Sequence, residues 1–292
     1  GEADLLTLDN DASLTYQKYF QVTFEERDQI IRVLAEDGQE AVGSMGDDAP
    51  FAVLSEKVRP VYDYFRQVFA QVTNPPIDPL REAIVMSLNV CFGREMNVFE
   101  ETQAHARRLE ATSPILSPTQ FNQLLAMNDA DYAHEIISLH YEPSLGLKAA
   151  IESIANQAES LVRAGKTLIV LSDNGIREGR LTAHALLATG AVHHRLIKAG
   201  LRCDANIIVD SATARDPHHF AVLFGYGATA VYPYMAYEAI ADMYRGKELD
   251  NSKALAKYLY NFRKGIDKGL FKIMSKMGIS TVASYRGAQL FE

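Results

Sequence analysis

The chain has 292 residues, 48% hydrophobic and 23% charged, with a formal net charge of −8 and a pI near 5.5. This composition fits a soluble globular protein and argues against nucleic acid as a partner, because tracking phosphates needs clustered excess Lys and Arg. No stretch approaches the roughly 20 consecutive apolar residues of a membrane-spanning helix, and no charged then apolar segment opens the chain as a secretory signal does, so no membrane partner is expected.

Residues 1 to about 20 are acidic and polar, then aromatic (Tyr16, Tyr19, Phe20), and read as a leading segment lying on the body. Thr23 followed by Glu26 fits a capping box that opens a helix through Leu34 and stops near Gly38. The Gly, Asp and Pro content of Gly43–Pro50 reads as a structured loop. From Pro60, the apolar positions Val61, Phe65, Val68, Phe69 and Val72 fall on one helical face, and Pro60 suits its first turn. Asn74-Pro75-Pro76-Ile77-Asp78-Pro79 breaks that helix, since proline lacks the amide proton; a second helix or strand is expected through Leu88.

The middle changes texture. Thr167–Leu171, Asn206–Val209 and Ala228–Tyr232 are apolar runs ending in turn signals, as expected of parallel strands covered on both faces. Between the first two lies a helix with Ala183, Leu186, Leu187, Ala191, His194 and Ile197 on its apolar stripe. Between the second and third, Asp216 and Pro217 read as N-cap and first helical residue, and Gly225 and Gly227 as the stop. The alternation means βαβ crossovers and an α/β fold over about 150–249, half a barrel or an open sheet, since a full eight-fold barrel needs roughly 250 residues. Asp250–Gly278 carries seven Lys or Arg (Lys253, Lys257, Arg263, Lys264, Lys268, Lys272, Lys276) against Asp250 and Asp267, and reads as one or two helices. Ile279–Ala283 looks like a strand beginning a further βα unit, as if the chain were a piece excised from a longer one.

Asp173 and Asp210 sit at carboxyl ends of these strands, where α/β enzymes place their chemistry. They are acid–base candidates, or else a turn residue (Asp173) and a cap of the next helix (Asp210). Neighbouring histidines in His193-His194 and His218-His219 point in different directions on a helix, and HExxH is missing; no metal is expected there, and His194 reads as a hydrogen-bonded core histidine. Gly43, Gly46, Asp47 and Asp48 could suggest a phosphate or cation loop, but two carboxylates repel phosphate and no Lys-Ser/Thr follows; a loop pressed on a neighbouring domain fits better. The basic tail is a solvated helix face or a docking surface. Phe224, Tyr226, Tyr232, Tyr234 and Tyr237 read as core or interface packing. The two cysteines, Cys91 and Cys203, lack CxxC spacing. They suit a reducing cytoplasm, cannot alone supply an iron–sulfur cluster, and read as buried small hydrophobes.

Three long segments carry a resemblance: GSMGDDAPFAVLSEKVRPVYDYFRQVFAQVTNPPIDPLREAIVMSL (43–88), IIVDSATARDPHHFAVLFGYGATAVYPYMAYEAI (207–240) and KGLFKIMSKMGISTVASYRGAQLFE (268–292). Their order resembles the central domain of the glutamate synthase large subunit, of the bacterial NADPH-dependent type. At one strand end the chain has Asp210-Ser211-Ala212-Thr213 where that family tends to carry glutamate and threonine. The resemblance implies a central domain over 1–278: a helical part to about 150, a βα part at about 151–249 and a basic helical tail at about 250–278. Residues 279–292 would then begin the synthase domain. It implies α/β architecture with a rudimentary βα-barrel-like parallel sheet. It further implies a non-catalytic linker between a glutamine amidotransferase domain and an FMN-binding synthase domain, lining part of an ammonia tunnel. FMN and a 3Fe-4S cluster, and FAD, 4Fe-4S clusters and NADPH on a small subunit, would belong to the parent enzyme, whose other large-subunit partner is a β-helix domain. The amidotransferase cysteine and cluster cysteines have no counterpart in this chain, so no catalytic, cofactor or metal residue is assigned. The alternatives are a ligand-binding or signalling module, or a stand-alone flavoprotein.

Overall fold

The computed structural model describes residues 2–40, 50–68 and 76–292. The chain begins with α1 (Asn10–Tyr19), capped by the Asp9 side chain on the Ala12 amide. Thr23 accepts from the Glu26 amide at 3.1 Å and starts α2 (Phe24–Glu26). A π turn at Arg27–Ile31 leads into α3 (Arg32–Asp37), which ends on Gly38 at φ 61°, as the glycine stop requires; the expected capping box is only half made, because the Glu26 carboxylate turns to Arg215.

The segment from Pro50 breaks with expectation. Instead of a helix from Val61 to Val72, a single 3-10 turn at Val61–Tyr64 gives way to extended backbone at Phe65; Phe69 and Val72 lie outside the described residues, as does the loop Gly43–Asp48. The cause is a distant partner: the Arg66 and Val68 amides donate to the Glu292 and Leu290 carbonyls at 3.0 and 2.8 Å, and the Glu292 amide returns a bond to Arg66 at 2.9 Å. Tertiary pairing outweighs a local periodicity. The element expected before Leu88 is only a 3-10 turn at Ala83–Val85.

Next come the antiparallel β1 (Val90–Phe92) and β2 (Leu109–Ala111). Then follows α4 (Pro118–Leu125), opened by a Ser117–Gln120 capping box. The main sheet is built from β3 (His134–Ser138), β5 (Leu168–Ser172), β7 (Asn206–Asp210) and β8 (Ala230–Tyr232), all parallel in the order β3-β5-β7-β8. The short β4 (His140–Tyr141) and β6 (Leu181–Thr182) pair beside its carboxyl end. The crossovers are α5 (Leu147–Arg163), α6 (Ala185–Lys198) and α7 (Pro217–Gly225), and α8 (Tyr234–Arg245) follows the last strand. Every residue of β5, β7 and β8 is buried, as two-sided cover demands. The free edge of β8 is covered by the segment around Ile115, with Val231 donating to Pro114 and Leu116 donating back to Val231.

The sheet is thus four strands of a βα-barrel arrangement flanked by helices, and it starts with β3, upstream of the expected boundary. The tail is one helix, α9 (Leu255–Lys276). Its Leu259, Phe262, Ile266, Leu270 and Met274 are buried, at 3.6-residue spacing, while its lysines face outward. Gly265 lets it touch α3: a Cβ there would lie 2.6 Å from Leu34. The predicted strand at Ile279–Ala283 is instead a bridge from Thr281 to Ser87 followed by α10 (Val282–Tyr285), because Thr281 accepts from the Ser284 amide and caps a helical turn.

Candidate functional site at the carboxyl ends of the strands

Asp173 and Asp210 meet where expected, at the ends of β5 and β7, and both are buried. Ser172 Oγ donates to Asp210 Oδ2 at 2.6 Å. Ser211 Oγ donates to Asp173 Oδ2 at 2.5 Å, and the Ala212 amide donates to Asp173 Oδ1 at 2.9 Å. Each strand end therefore supplies a serine to the other strand's carboxyl. Burial raises Asp173 to about 6 and Asp210 to about 8; the hydroxyl bonds pull the other way, and for Asp210 the charge of Asp173 adds to the rise. Among the described residues, Asp210 Oδ1 is buried without a hydrogen-bond partner, and the Tyr234 hydroxyl is buried beside the Asp173 carboxyl. Desolvation dominates, so the pair holds protons that exposed carboxyls release.

Above this pair the chain closes its own mouth. The Tyr62 hydroxyl bonds Thr213 Oγ1 at 3.0 Å, and Thr213 bonds Ser211 at 2.8 Å, linking Tyr62 to Asp173 through two hydroxyls. The Tyr62 ring stacks on His219 at 4.3 Å and meets His184 edge-on at 4.8 Å. Burial drives both imidazoles down to about 3, so they stay neutral. Arg215 crosses beneath, its Nε on Glu26 Oε1 at 2.7 Å and Nη1 on the Ala212 and Phe20 carbonyls. From the leading helix, the Tyr16 hydroxyl accepts from the Gly175 amide at 3.0 Å, and the Tyr19 hydroxyl bonds Thr182 at 2.7 Å. What remains is a cleft of about 480 Å³ reaching Tyr62, Asp173, His184, Thr213 and Arg215.

Other sequence candidates fall elsewhere. Asp210 does not cap α7; Asp216 does, through the His219 amide. His218 and His219 separate, His218 Nε2 donating to the Tyr62 carbonyl. His194 is exposed and bonds only its own helix at Gly190, correcting its assignment to the core. The buried face of α6 runs through Ala185, Leu186, Thr189, Val192 and Leu196; of the expected stripe Ala183 and Leu186 are buried, while Leu187 and Ile197 are partly exposed. Cys91 is half-buried and Cys203 exposed in a 3-10 turn, so neither is the core thiol expected. Phe224, Tyr232, Tyr234 and Tyr237 are buried, as read. Among the described residues, no group of three or more His, Cys, Asp or Glu could hold a metal ion, and no helix is long and apolar enough to cross a membrane.

Sequence reasoning missed Tyr62, His184, Ser211 and Arg215. A signal existed for two of them: the run from Asp210 to His219 is one strand-to-helix loop, and polar residues there face the mouth.

A four-stranded parallel α/β unit with a self-closed strand-end mouth defines the class of domain. Residues 15–292 match the model of the glutamate synthase central domain, and the chain belongs to that family. It is 42% identical over 99% of its length to glutamate synthase [NADH] of Schizosaccharomyces pombe, covering 14% of that protein. It is 45% identical over 94% of its length to the glutamate synthase [NADPH] large chain of Azospirillum brasilense, covering 18% of that one. The chain thus spans under a fifth of these relatives. Among solved structures, the flavin-binding domain of baker's yeast flavocytochrome b2 covers 47% of this chain and 32% of its own at 14% identity, with a TM-score of 0.35; so loose a likeness carries no argument.

Proposed function

We propose that this chain is the connecting domain of glutamate synthase and is not itself catalytic. In this reading residues 1–278 form the domain and 279–292 begin the synthase unit. It holds a glutamine amidotransferase site and an FMN-dependent synthase site at fixed spacing and lines part of the ammonia path between them, in the cytoplasm. The 3Fe-4S cluster, the FAD, 4Fe-4S and NADPH sites of a small subunit, and the β-helix domain belong to its partners.

One observation carries the reading: the strand-end mouth, where parallel α/β folds place their chemistry, is narrowed by the domain's own Tyr62, His184, His219 and Tyr16. The residues present do not fit a flavin. Its phosphate would meet the Asp173 carboxyl that lines the cleft, and α8 follows β8 through Pro233 with no glycine turn to aim amides at it. Carboxyls held by neighbouring serines and neutral imidazoles suit a wall better than a reaction centre. The purified chain titrated with FMN should show no shifted flavin absorbance or quenched fluorescence, and glutamine should not be hydrolysed above buffer; flavin retained at stoichiometric level would overturn the reading.

A ligand-binding role draws on a second cleft of about 350 Å³, lined by Ser138, His140, Asn174, Arg177 and Arg180. A rise in melting temperature with 2-oxoglutarate, lost in Arg177→Gln, would favour it.

A further inference from the structure

The cleft of about 350 Å³ opens at the carboxyl ends of β3 and β5, where Ser138 and Ser172 stand in register. Asn174, Arg177 and Arg180 reach it from the turn after β5, and Ile136, 47% exposed, lines it from the edge strand.

The polar atoms left over decide what chemistry fits. His140 has none to offer: its Nδ1 bonds Thr182 Oγ1 at 2.8 Å and its Nε2 donates to the Asn174 carbonyl at 3.1 Å. Ser172 Oγ donates to Asp210 and accepts from the Asn174 amide at 3.2 Å. Asn174 Oδ1 accepts from the Gly175 amide at 2.8 Å and from the Tyr16 hydroxyl at 3.3 Å, which orients the side-chain amide and leaves Nδ2 uncommitted. Ser138 Oγ accepts from the His140 amide at 3.2 Å and keeps its proton for another partner. Among the described residues, the exposed Arg177 guanidinium makes no hydrogen bond and no ion pair. Arg180 meets Glu142 through Nη2 at 2.7 Å, with the rest of its fork unused.

The uncommitted side-chain groups, Ser138, Asn174, Arg177 and Arg180, are therefore all donors, and no carboxylate lines the cleft. Such a set suits carboxylate oxygens, which only accept, and a guanidinium fork takes them two at a time. Two guanidinium groups call for two such groups, and the apolar Ile136 suits a short methylene chain between them.

We propose that this cleft binds a short aliphatic dicarboxylate, with one carboxylate on Arg177, Asn174 Nδ2 and Ser138 Oγ and the other on Arg180. The assignment rests on the ligand-binding reading of the cleft and gives it a ligand class. Tyr16 acts as a positioning residue: its hydroxyl also accepts from the Gly175 and Ile176 amides at 3.0 and 3.3 Å, so α1 fixes the turn that carries Arg177.

The test is calorimetric titration of the purified chain with malonate, succinate and glutarate against butyrate and inorganic phosphate, at constant ionic strength because exposed charges are screened by salt. At least one dicarboxylate should bind about tenfold more tightly than butyrate or phosphate. Arg177→Gln and Arg180→Gln should each weaken it about tenfold, the scale of one charged hydrogen-bonded contact. Lys264→Gln, an exposed position on α9, should bind as wild type does, and Tyr16→Phe should weaken the dicarboxylate while keeping its preference over butyrate. Arg177 has no partner in the fold, so Arg177→Gln without ligand should melt with wild type, which separates lost binding from lost folding. Butyrate or phosphate binding as tightly as every dicarboxylate, and weakened by Arg177→Gln, would overturn the dicarboxylate assignment and leave the cleft a ligand site. Absence of binding by all five anions, or binding untouched by both arginine variants, would overturn the assignment and the ligand-binding reading together.

Discussion

Replacing Asp210 by Asn isolates the chemistry of the strand ends. Burial holds the Asp210 carboxyl at about 8, above its ordinary 3.8. Between those values the folded chain keeps a proton that the unfolded chain has released. The stability this contributes is complete below the lower value and is lost as pH rises through the upper one. At 1.36 kcal/mol per unit, titration from pH 6.5 to 8.5 through a folded value of about 8 removes about 2 kcal/mol. Asp210→Asn keeps the acceptor for Ser172 and cannot ionise, so its stability relative to wild type should improve by that amount over the interval. Glu238, raised to about 7 by burial, and the histidines at about 3 titrate alike in both proteins and cancel in the difference. Urea unfolding at the two pH values, with equal slopes m in both proteins, measures it. Parallel loss of stability in wild type and Asp210→Asn would show that the carboxyl is ionised in the fold, and the reasoning would fail.

Arg215→Met strands the half-buried carboxylate of Glu26, 2.7 Å from Arg215 Nε, and leaves the Ala212 and Phe20 carbonyls without their donor; it should cost about 3 kcal/mol by denaturant titration. Gly227→Ala forces a Cβ to 2.3 Å from His193 Nδ1 at φ 109°. A loss of about 2–4 kcal/mol is expected from strain and overpacking together, and a neutral outcome would mean that His193 moves freely. Tyr16→Phe removes the acceptor of the Gly175 and Ile176 amides, so hydrogen exchange should speed up at 174–176 and stay unchanged in β7.

The parts of the fold legible in the sequence were those written in a few adjacent letters. Thr23 with Glu26, Asp216 before Pro217, and the apolar runs of β5, β7 and β8 each state their structure locally. The strand β3 was overlooked because it is an edge: His134 and Glu135 are only half-buried and Ile136 is 47% exposed, so its apolar signal is diluted. The face from Val61 to Val72 misled for the opposite reason, since its spacing suited a helix while its partners, Leu290 to Glu292, stood more than 220 positions away. The strand-end carboxyls could be located from topology alone. Their closure by Tyr62, 149 residues before Ser211, depends on packing that no window of neighbouring letters contains.

The pairing of Arg66 and Val68 with Leu290 and Glu292 has a bearing on synthesis. A ribosome must deliver both strands of this seam before it can shut, and loop closure on that scale is slow. During translation, β3 through β8 can assemble while residues around Arg66 still wait unmatched. An emerging chain will therefore offer an open edge to chaperones until Glu292 has cleared the exit channel.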